Sequence, residues 1–200
     1  RRLVENGPRN YQQEVDTWNF TATLGGDFEV MGRTWYWDAN AVISENDAHQ
    51  TFTGNVNAQR VQDALGPVAD CTGACVPLNL FGGVGTITPA MLDFIGFTQQ
   101  DSSGQELLDF TFNITGDLFD LPAGPFAFAA GYEHRRTEGF FEPDPIVAAG
   151  LSSDIPAQPA SGETSINEAY LELRAPLVRD VPGLYRLELS GAGRWFDYST

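Results

Sequence analysis

The sequence has 200 residues, enough for one domain with a sizeable core, and a net charge of −16. Its 11 basic residues are all arginines, against 27 acidic residues. This balance argues against a nucleic-acid partner, whose phosphates need a basic surface. No apolar run approaches the roughly 20 residues of a membrane-spanning helix, and the first residues lack the apolar core of a signal peptide.

Six segments alternate between apolar and polar residues with a period of two, which predicts β-strands. In chain order they cover 17–24, 34–44, 108–118, 126–136, 168–177 and 185–198. The clearest segment sets Leu108, Phe110 and Phe112 against Asp109 and Thr111. Most of these segments exceed the usual strand length of about 5–6 residues. The segment RRLVEN at 1–6 predicts part of a seventh strand.

The connections alternate between short and long. Three short turns are predicted at 27–32, 121–125 and 179–184. The segments 45–104 and 137–163 are long loops in which acidic residues concentrate. Loops of such length are uncommon in compact domains unless they serve a function.

The longer loop contains two short helical patterns. The first covers 57–65 and the second covers 88–97. Thr88 has the residue type of an N-cap, and Pro89 suits the first helical position. We therefore expect short helical pieces inside an otherwise irregular connection.

Alternation fits either a soluble β-sandwich or a transmembrane β-barrel. The long strands, with short turns at one end and long loops at the other, are typical of a membrane barrel. Trp18, Trp195 and Tyr198 lie near the predicted loop end, and Trp35 and Trp37 lie near the turn end, as in aromatic girdles. The predicted fold is an all-β, antiparallel, up-and-down transmembrane β-barrel fragment of six to seven strands, with periplasmic turns and extracellular loops. A soluble carbohydrate-binding or adhesive module is the alternative, and a passive porin is a third possibility.

Cys71 and Cys75 lie in the longest loop, on the side that a barrel would expose to the oxidising exterior. This favours a disulfide, which would contribute roughly 2 kcal/mol by loop entropy. A redox pair or a metal pair is the alternative. The spacing is not that of a Cys-x-x-Cys motif, and both histidines are far away in sequence.

Four segments carry a family resemblance: RRLVENGPRNYQQEVDTWNF (1–20), CVPLNLFGGVGTITPAMLDFI (75–95), GYEHRRTEGFFEPDP (131–145) and NEAYLELRAPLVRDVPGLYRLELSGAGRWFDYST (167–200). In these segments the chain resembles the TonB-dependent receptors of the proteobacterial outer membrane. The resemblance extends over essentially the whole chain.

The resemblance implies a barrel of about 22 strands closed by a plug. It also implies binding of a siderophore, cobalamin or glycan and its import with energy from TonB. Signal peptide, TonB box, plug and terminal strand are not recognised in the sequence, so residues 1–200 are expected to be a fragment of the barrel wall with two outer loops. The expected location is the bacterial outer membrane. The expected partners are a small nutrient ligand, membrane lipid and the TonB complex, which would be reached through the missing plug.

The sequence contains no recognisable catalytic set, cofactor motif or metal motif, so we expect a binding and transport role rather than an enzyme. The acidic loops also leave open a bound cation. The candidate ligand contacts are apolar loop residues and polar strand residues: Phe81, Phe140, Phe141, Glu133, Arg135, Tyr170 and Arg174. Further polar-face candidates are Asp38, Asn40, Asp109, Asn113, Glu168, Glu172, Glu188 and Arg194. Glu172 with Arg174, or Glu188 with Arg194, alternatively form simple cross-strand ion pairs.

Overall fold

The computed structural model describes residues 3–200, and the chain is mostly one antiparallel sheet of six strands in the order β1-β2-β3-β4-β5-β6. The strands are β1 Asn10–Val30, β2 Arg33–Val56, β3 Gly96–Leu121, β4 Gly124–Glu142, β5 Ala160–Val181 and β6 Leu184–Ser199. Each strand therefore pairs with its neighbour in sequence, and β1 and β6 form the two edges. The predicted all-β class and the six strands are confirmed.

The strands are longer than predicted, with 16 to 26 residues each. β2, β3, β4 and β5 extend into the predicted loops 45–104 and 137–163, which leaves connections of 57–95 and 143–159. The extensions are mostly polar, and their few apolar residues do not alternate regularly, as with the adjacent Phe140 and Phe141 in β4. Apolar periodicity therefore does not reveal these extensions although their backbones pair. The predicted seventh strand is wrong at Val4–Asn6, which form a 3₁₀ turn, and its first two residues lie outside the described part of the chain.

The chain divides into two compact units. The loop unit comprises the chain up to Asp16, Asn46–Gly104 and Phe140–Ser161. The sheet unit comprises Thr17–Glu45, Gln105–Gly139 and Gly162–Thr200. Each unit has its own internal contacts.

The loop unit contains three short helices, α1 Ala58–Leu65, α2 Pro89–Ile95 and α3 Pro145–Ala148. The Thr88 side chain caps α2 by accepting the N–H of Met91, and Pro89 occupies the first helical turn, as predicted. Asn57 caps α1 in the same way by accepting the N–H of Arg60. None of the helices found in residues 3–200 is long and apolar enough to cross a membrane.

A small apolar core holds these helices together. Its buried members come from α1, from α2 and from the irregular segment between them: Ala64, Leu78, Ile87 and Ile95. The loop unit is therefore a folded body with its own interior.

Buried polar side chains tie the strands and loops of this unit together. Asn55 is fully buried; its amide donates to Gln99 Oε1 at 2.9 Å and its oxygen accepts from the Ser153 hydroxyl at 3.3 Å. Asp144 is also buried and accepts the backbone N–H groups of Gln100 and Ile146. Because the buried Asn55 and Asp144 side chains both have hydrogen-bond partners, they anchor the connections to the neighbouring strands.

In the sheet unit, the β1–β2 turn has positive φ at both Met31 (52°) and Gly32 (74°). This is the pattern of a tight hairpin turn whose twist matches that of the flanking strands. The β5–β6 hairpin aligns Tyr170 with Arg194 and has a β-bulge between Pro176 and Val178. The short turns predicted from the sequence thus connect the strand pairs.

The two faces of the sheet unit differ in polarity. The apolar face carries large side chains that stay exposed, among them Leu24 at 68% and Trp195 at 62%. The Trp35 indole on this face lies over Gly116 and donates to the Asp117 carbonyl at 3.0 Å. The opposite, polar face carries hydroxyl, amide and charged groups. The alternation predicted from the sequence therefore does separate two chemically distinct surfaces.

Candidate functional site

A continuous row of side-chain hydrogen bonds runs across the polar face. The Thr23 hydroxyl donates to Asn40 Oδ1 at 2.7 Å, and the Asn40 amide donates to Asp38 Oδ2 at 2.8 Å. The Asn113 amide donates to the same Asp38 oxygen at 2.8 Å. The Tyr170 hydroxyl donates to Asn113 Oδ1 at 2.9 Å. We call these five residues the polar row; it links β1, β2, β3 and β5.

Gly131 on β4 makes the last link possible. A Cβ atom at this position would lie 2.2 Å from Tyr170 Cε1 and 2.7 Å from Asn113 Oδ1. The Tyr170 ring therefore crosses over the backbone of β4 to reach Asn113 on β3. A glycine within a strand is the one sequence signal for such a close approach.

A charged group continues the row toward β6. The Arg194 guanidinium lies 5.9 Å from the centre of the Tyr170 ring and donates to Glu168 Oε2 at 2.9 Å. The Glu168 side chain is only 14% exposed, whereas that of Arg194 is 61% exposed. The guanidinium thus lies over the Tyr170 ring and bonds the carboxylate while its own side chain stays mostly exposed.

The cross-strand ion pairs considered from the sequence are wrong. Arg194 pairs with Glu168, because the β5–β6 register places Tyr170 opposite Arg194. Glu188 instead accepts a hydrogen bond from Arg186 on its own strand. Within residues 3–200, Glu172 and Arg174 form no ion pair with each other.

The predicted ligand contacts of the sheet unit do not form one cluster. Tyr170 belongs to the polar row. Glu133 and Arg135 form an ion pair along β4 with an N···O distance of 3.8 Å. Arg174 lines a separate cavity with Arg179 and Arg186. Neither Arg179 nor Arg186 was a sequence candidate, and only the bulge and register bring them near Arg174.

The predicted aromatic contacts lie in the loop unit. Phe81 is fully exposed, and the Phe140 ring lies against Gly104. Phe141 is half-buried at the end of β4. The Asn79 side chain accepts the N–H groups of both Phe81 and Gly82 at 3.1 Å, which fixes the backbone that carries the Phe81 ring.

The disulfide predicted between Cys71 and Cys75 is confirmed. It lies in the connection between α1 and α2, the same segment that carries Phe81. No cysteine of the described chain is left free. The bond closes a local turn and joins no distant elements.

Carboxylates surround one arginine at the end of the apolar face. Arg136 bonds Glu138 and Glu163, each at 2.9 Å. The Trp18 indole donates to Glu45 at 2.7 Å. Of these residues, Trp18, Glu45, Arg136 and Glu138 line a cavity of about 270 Å³. An exposed apolar surface that ends in an aromatic residue and charged groups is typical of a boundary between apolar and aqueous surroundings.

Within residues 3–200, no group of three or more His, Cys, Asp or Glu side chains is arranged to hold a metal ion. The polar row presents hydroxyl, amide and carboxylate groups, which suit the binding of polar molecules through hydrogen bonds. No family model matches the chain, and no curated protein matches it.

Proposed function

We propose that this chain forms part of the wall and outer loops of a bacterial outer-membrane β-barrel of the TonB-dependent receptor type. Such a receptor binds a scarce nutrient of the siderophore, cobalamin or glycan class and imports it with energy supplied through TonB. One observation carries the proposal: a single sheet with an uncovered apolar face on one side and a hydrogen-bonded polar face on the other.

The uncovered apolar face needs a covering medium. Large side chains on five strands contribute to it: Phe20, Leu24, Leu108, Phe110, Tyr132, Leu171, Leu189 and Trp195 are all exposed. Monomeric soluble proteins rarely expose a contiguous apolar surface above a few hundred Å². A soluble sandwich would pack a second sheet here, whereas lipid acyl chains would cover the face of a membrane barrel.

The two edges of the sheet support the same proposal. β1 has 21 residues and β6 has 16, and each lies at an edge where one row of backbone groups lacks a strand partner. Long unprotected edges invite pairing with another chain. Further strands in a barrel wall would pair both edges.

The folded state of the loop unit supports a ligand-binding role for the connections between strand pairs. Its buried core, against which Leu80 packs, and the Asn79 side chain hold the backbone that carries the exposed Phe81. A preorganised loop loses less conformational entropy on binding than a flexible one. The resemblance to TonB-dependent receptors supplies the nutrient class and the energy source.

The wall proposal is tested with a fluorescent label on Phe110→Cys and, as the matched neighbour, on Thr111→Cys. The full chain is inserted into phosphatidylcholine vesicles with brominated acyl chains. We expect quenching at position 110 and not at position 111, because consecutive strand residues point to opposite faces. Equal quenching at both positions, or at neither, would overturn the proposal.

Active uptake is tested in cells that express the protein. The energised mechanism predicts that accumulation of a labelled nutrient stops when an uncoupler collapses the proton-motive force. Uptake that continues unchanged would identify a passive porin instead.

A further inference from the structure

Three arginines line one cavity on the polar face of the sheet unit. The cavity has a volume of about 180 Å³ and is bounded by Arg174 and Arg179 from β5 and Arg186 from β6. These are three of the 11 arginines in a chain whose net charge is −16. Positive charge is therefore concentrated here against the overall composition of the molecule.

The strand pairing places two of these positive charges against each other, which is unfavourable without a compensating negative charge. In the β5–β6 register, Arg179 lies directly opposite Arg186. Like charges in directly opposed positions destabilise an antiparallel pair. The bulge between Pro176 and Val178 lies immediately before this pair and sets which residues meet across the strands.

The neighbouring carboxylates compensate only part of this charge. Glu188 lines the cavity and is bonded to Arg186. Asp180 lies 3.5 Å from the Arg179 guanidinium, and its side chain is 61% exposed. Arg174 forms no ion pair with any residue of the described chain. The cavity thus retains positive charge and at least one guanidinium with free donors.

We propose that this cavity binds the phosphate or carboxylate group of a small anionic molecule. Guanidinium groups bind both anions through paired N–H donors, and an anion between Arg179 and Arg186 would relieve their repulsion. The volume is below the several hundred Å³ typical of drug-sized ligands, so it accommodates one anionic group rather than a large molecule. Ala123, Gly124 and Pro125 line the cavity without adding long side chains.

This inference stands apart from the proposed transport function. All the residues involved belong to the sheet unit, and anion binding is measurable without transport. If no anion binds to this cavity, the wall proposal is unaffected. If the wall proposal is wrong, the anion site is likewise unaffected.

The test is calorimetric titration of the purified full chain with inorganic phosphate and, separately, with citrate at low ionic strength. We expect saturable binding of at least one of them, and the tighter one identifies the preferred anionic group. Arg174→Gln and Arg186→Gln should each weaken binding about tenfold, the usual effect of removing a charged hydrogen-bond donor. Arg174→Lys should bind with intermediate affinity, because it keeps the charge but loses the planar fork.

Two controls distinguish binding at this cavity from a general effect of the protein's net charge. Arg33→Gln removes the same charge from the same unit outside the cavity and should leave binding unchanged. Glu188→Gln should tighten binding by releasing Arg186, whereas Glu29→Gln should not. Circular dichroism establishes that each variant keeps its strand content.

Two results would overturn the proposal. One is the absence of saturable binding of either anion to the wild-type chain. The other is an equal loss of affinity in Arg33→Gln and Arg174→Gln, which would mean that the anions respond only to net charge.

Discussion

At the scale of single residues, Gly131 is the position where the polar row tolerates the least change. In Gly131→Ala the new methyl group meets the Tyr170 ring, so the ring must turn away and its bond to Asn113 is lost. We expect the free energy of unfolding to fall by about 1–3 kcal/mol, as for other overpacked sites. Urea denaturation measures this loss.

The matched control for that substitution is Gly191→Ala. Gly191 lies in β6, and a Cβ atom there would meet nothing within 4 Å. Its unfolding free energy should therefore stay the same or rise slightly, because alanine restricts the unfolded chain. Equal destabilisation by both substitutions would contradict a specific role for the close approach of Tyr170 to the backbone at Gly131.

Arg33 and Asp120 provide a prediction about pH. Both side chains lie beside short turns, and Arg33 donates to both carboxylate oxygens of Asp120. These hydrogen bonds, with the attraction of the two charges, lower the pKa of Asp120. A lowered pKa stabilises the fold above the ordinary carboxyl pKa, and this contribution disappears as the pH falls through the lowered value.

In Arg33→Gln the pKa of Asp120 should rise toward its ordinary value. Carbon-13 NMR titration of the Asp120 carboxyl in the two proteins measures this change. Because both side chains are accessible to solvent, the overall stability at neutral pH should change little. An Asp120 titration identical in the two proteins would contradict the pairing.

Residue alternation predicted the polar face but not the hydrogen bonds that link its side chains. Asp38, Asn40, Asn113 and Tyr170 were all recognisable as polar-face residues. Their contacts depend on strand register and on a tyrosine that crosses an intervening strand, so no local spacing encodes them. The arginine cavity was missed for the same reason, since the bulge in β5 is not visible in the alternation.

At the scale of elements, the two main helices were predictable because their signals are local. Asn57, Thr88 and Pro89 act on backbone groups within three residues of themselves. The parts of the strands that belong to the loop unit were not predictable, since they are mostly polar and their few apolar residues, such as Phe140 and Phe141, do not alternate. Without alternation there is no strand periodicity to detect.

The disulfide is predicted to stabilise only its own segment. In the double variant Cys71→Ser, Cys75→Ser, the bridge across a short loop is lost, which costs roughly 2 kcal/mol at most. Hydrogen exchange should accelerate in 66–88 while the strand amides of the sheet unit keep their protection.

Dithiothreitol treatment is the control for the double variant. It should reproduce the same exchange pattern in the wild-type protein and have no further effect on the variant. Loss of protection throughout β1 to β6 would contradict the local role of the bond.

At the scale of the whole molecule, we predict that an introduced charge lowers stability more on the apolar face than on the polar face. Phe110→Arg places a guanidinium on the apolar face, and Thr111→Arg places it on the polar face. In lipid vesicles, the first substitution should cost about 2–4 kcal/mol and the second far less. Urea titration of the vesicle-inserted chains measures the difference.

A reversed order in that experiment would contradict the wall proposal. The same order, measured on a chain that folds stably in lipid-free buffer, would support the soluble module, because a second sheet would then cover Phe110.

The polar row also has a consequence for how the strands find their alignment. If β3 slipped by one residue against its neighbours, Asn113 would turn to the apolar face, and its bonds to Asp38 and Tyr170 would break together. A slip of two residues would restore the face but bring a threonine, either Thr111 or Thr115, to the same place. A threonine hydroxyl lies one bond closer to the backbone and offers a single oxygen in place of the separate amide nitrogen and carbonyl oxygen of Asn113, so it cannot make both bonds at their present positions. The row thus favours one alignment of the strands over its nearest alternatives.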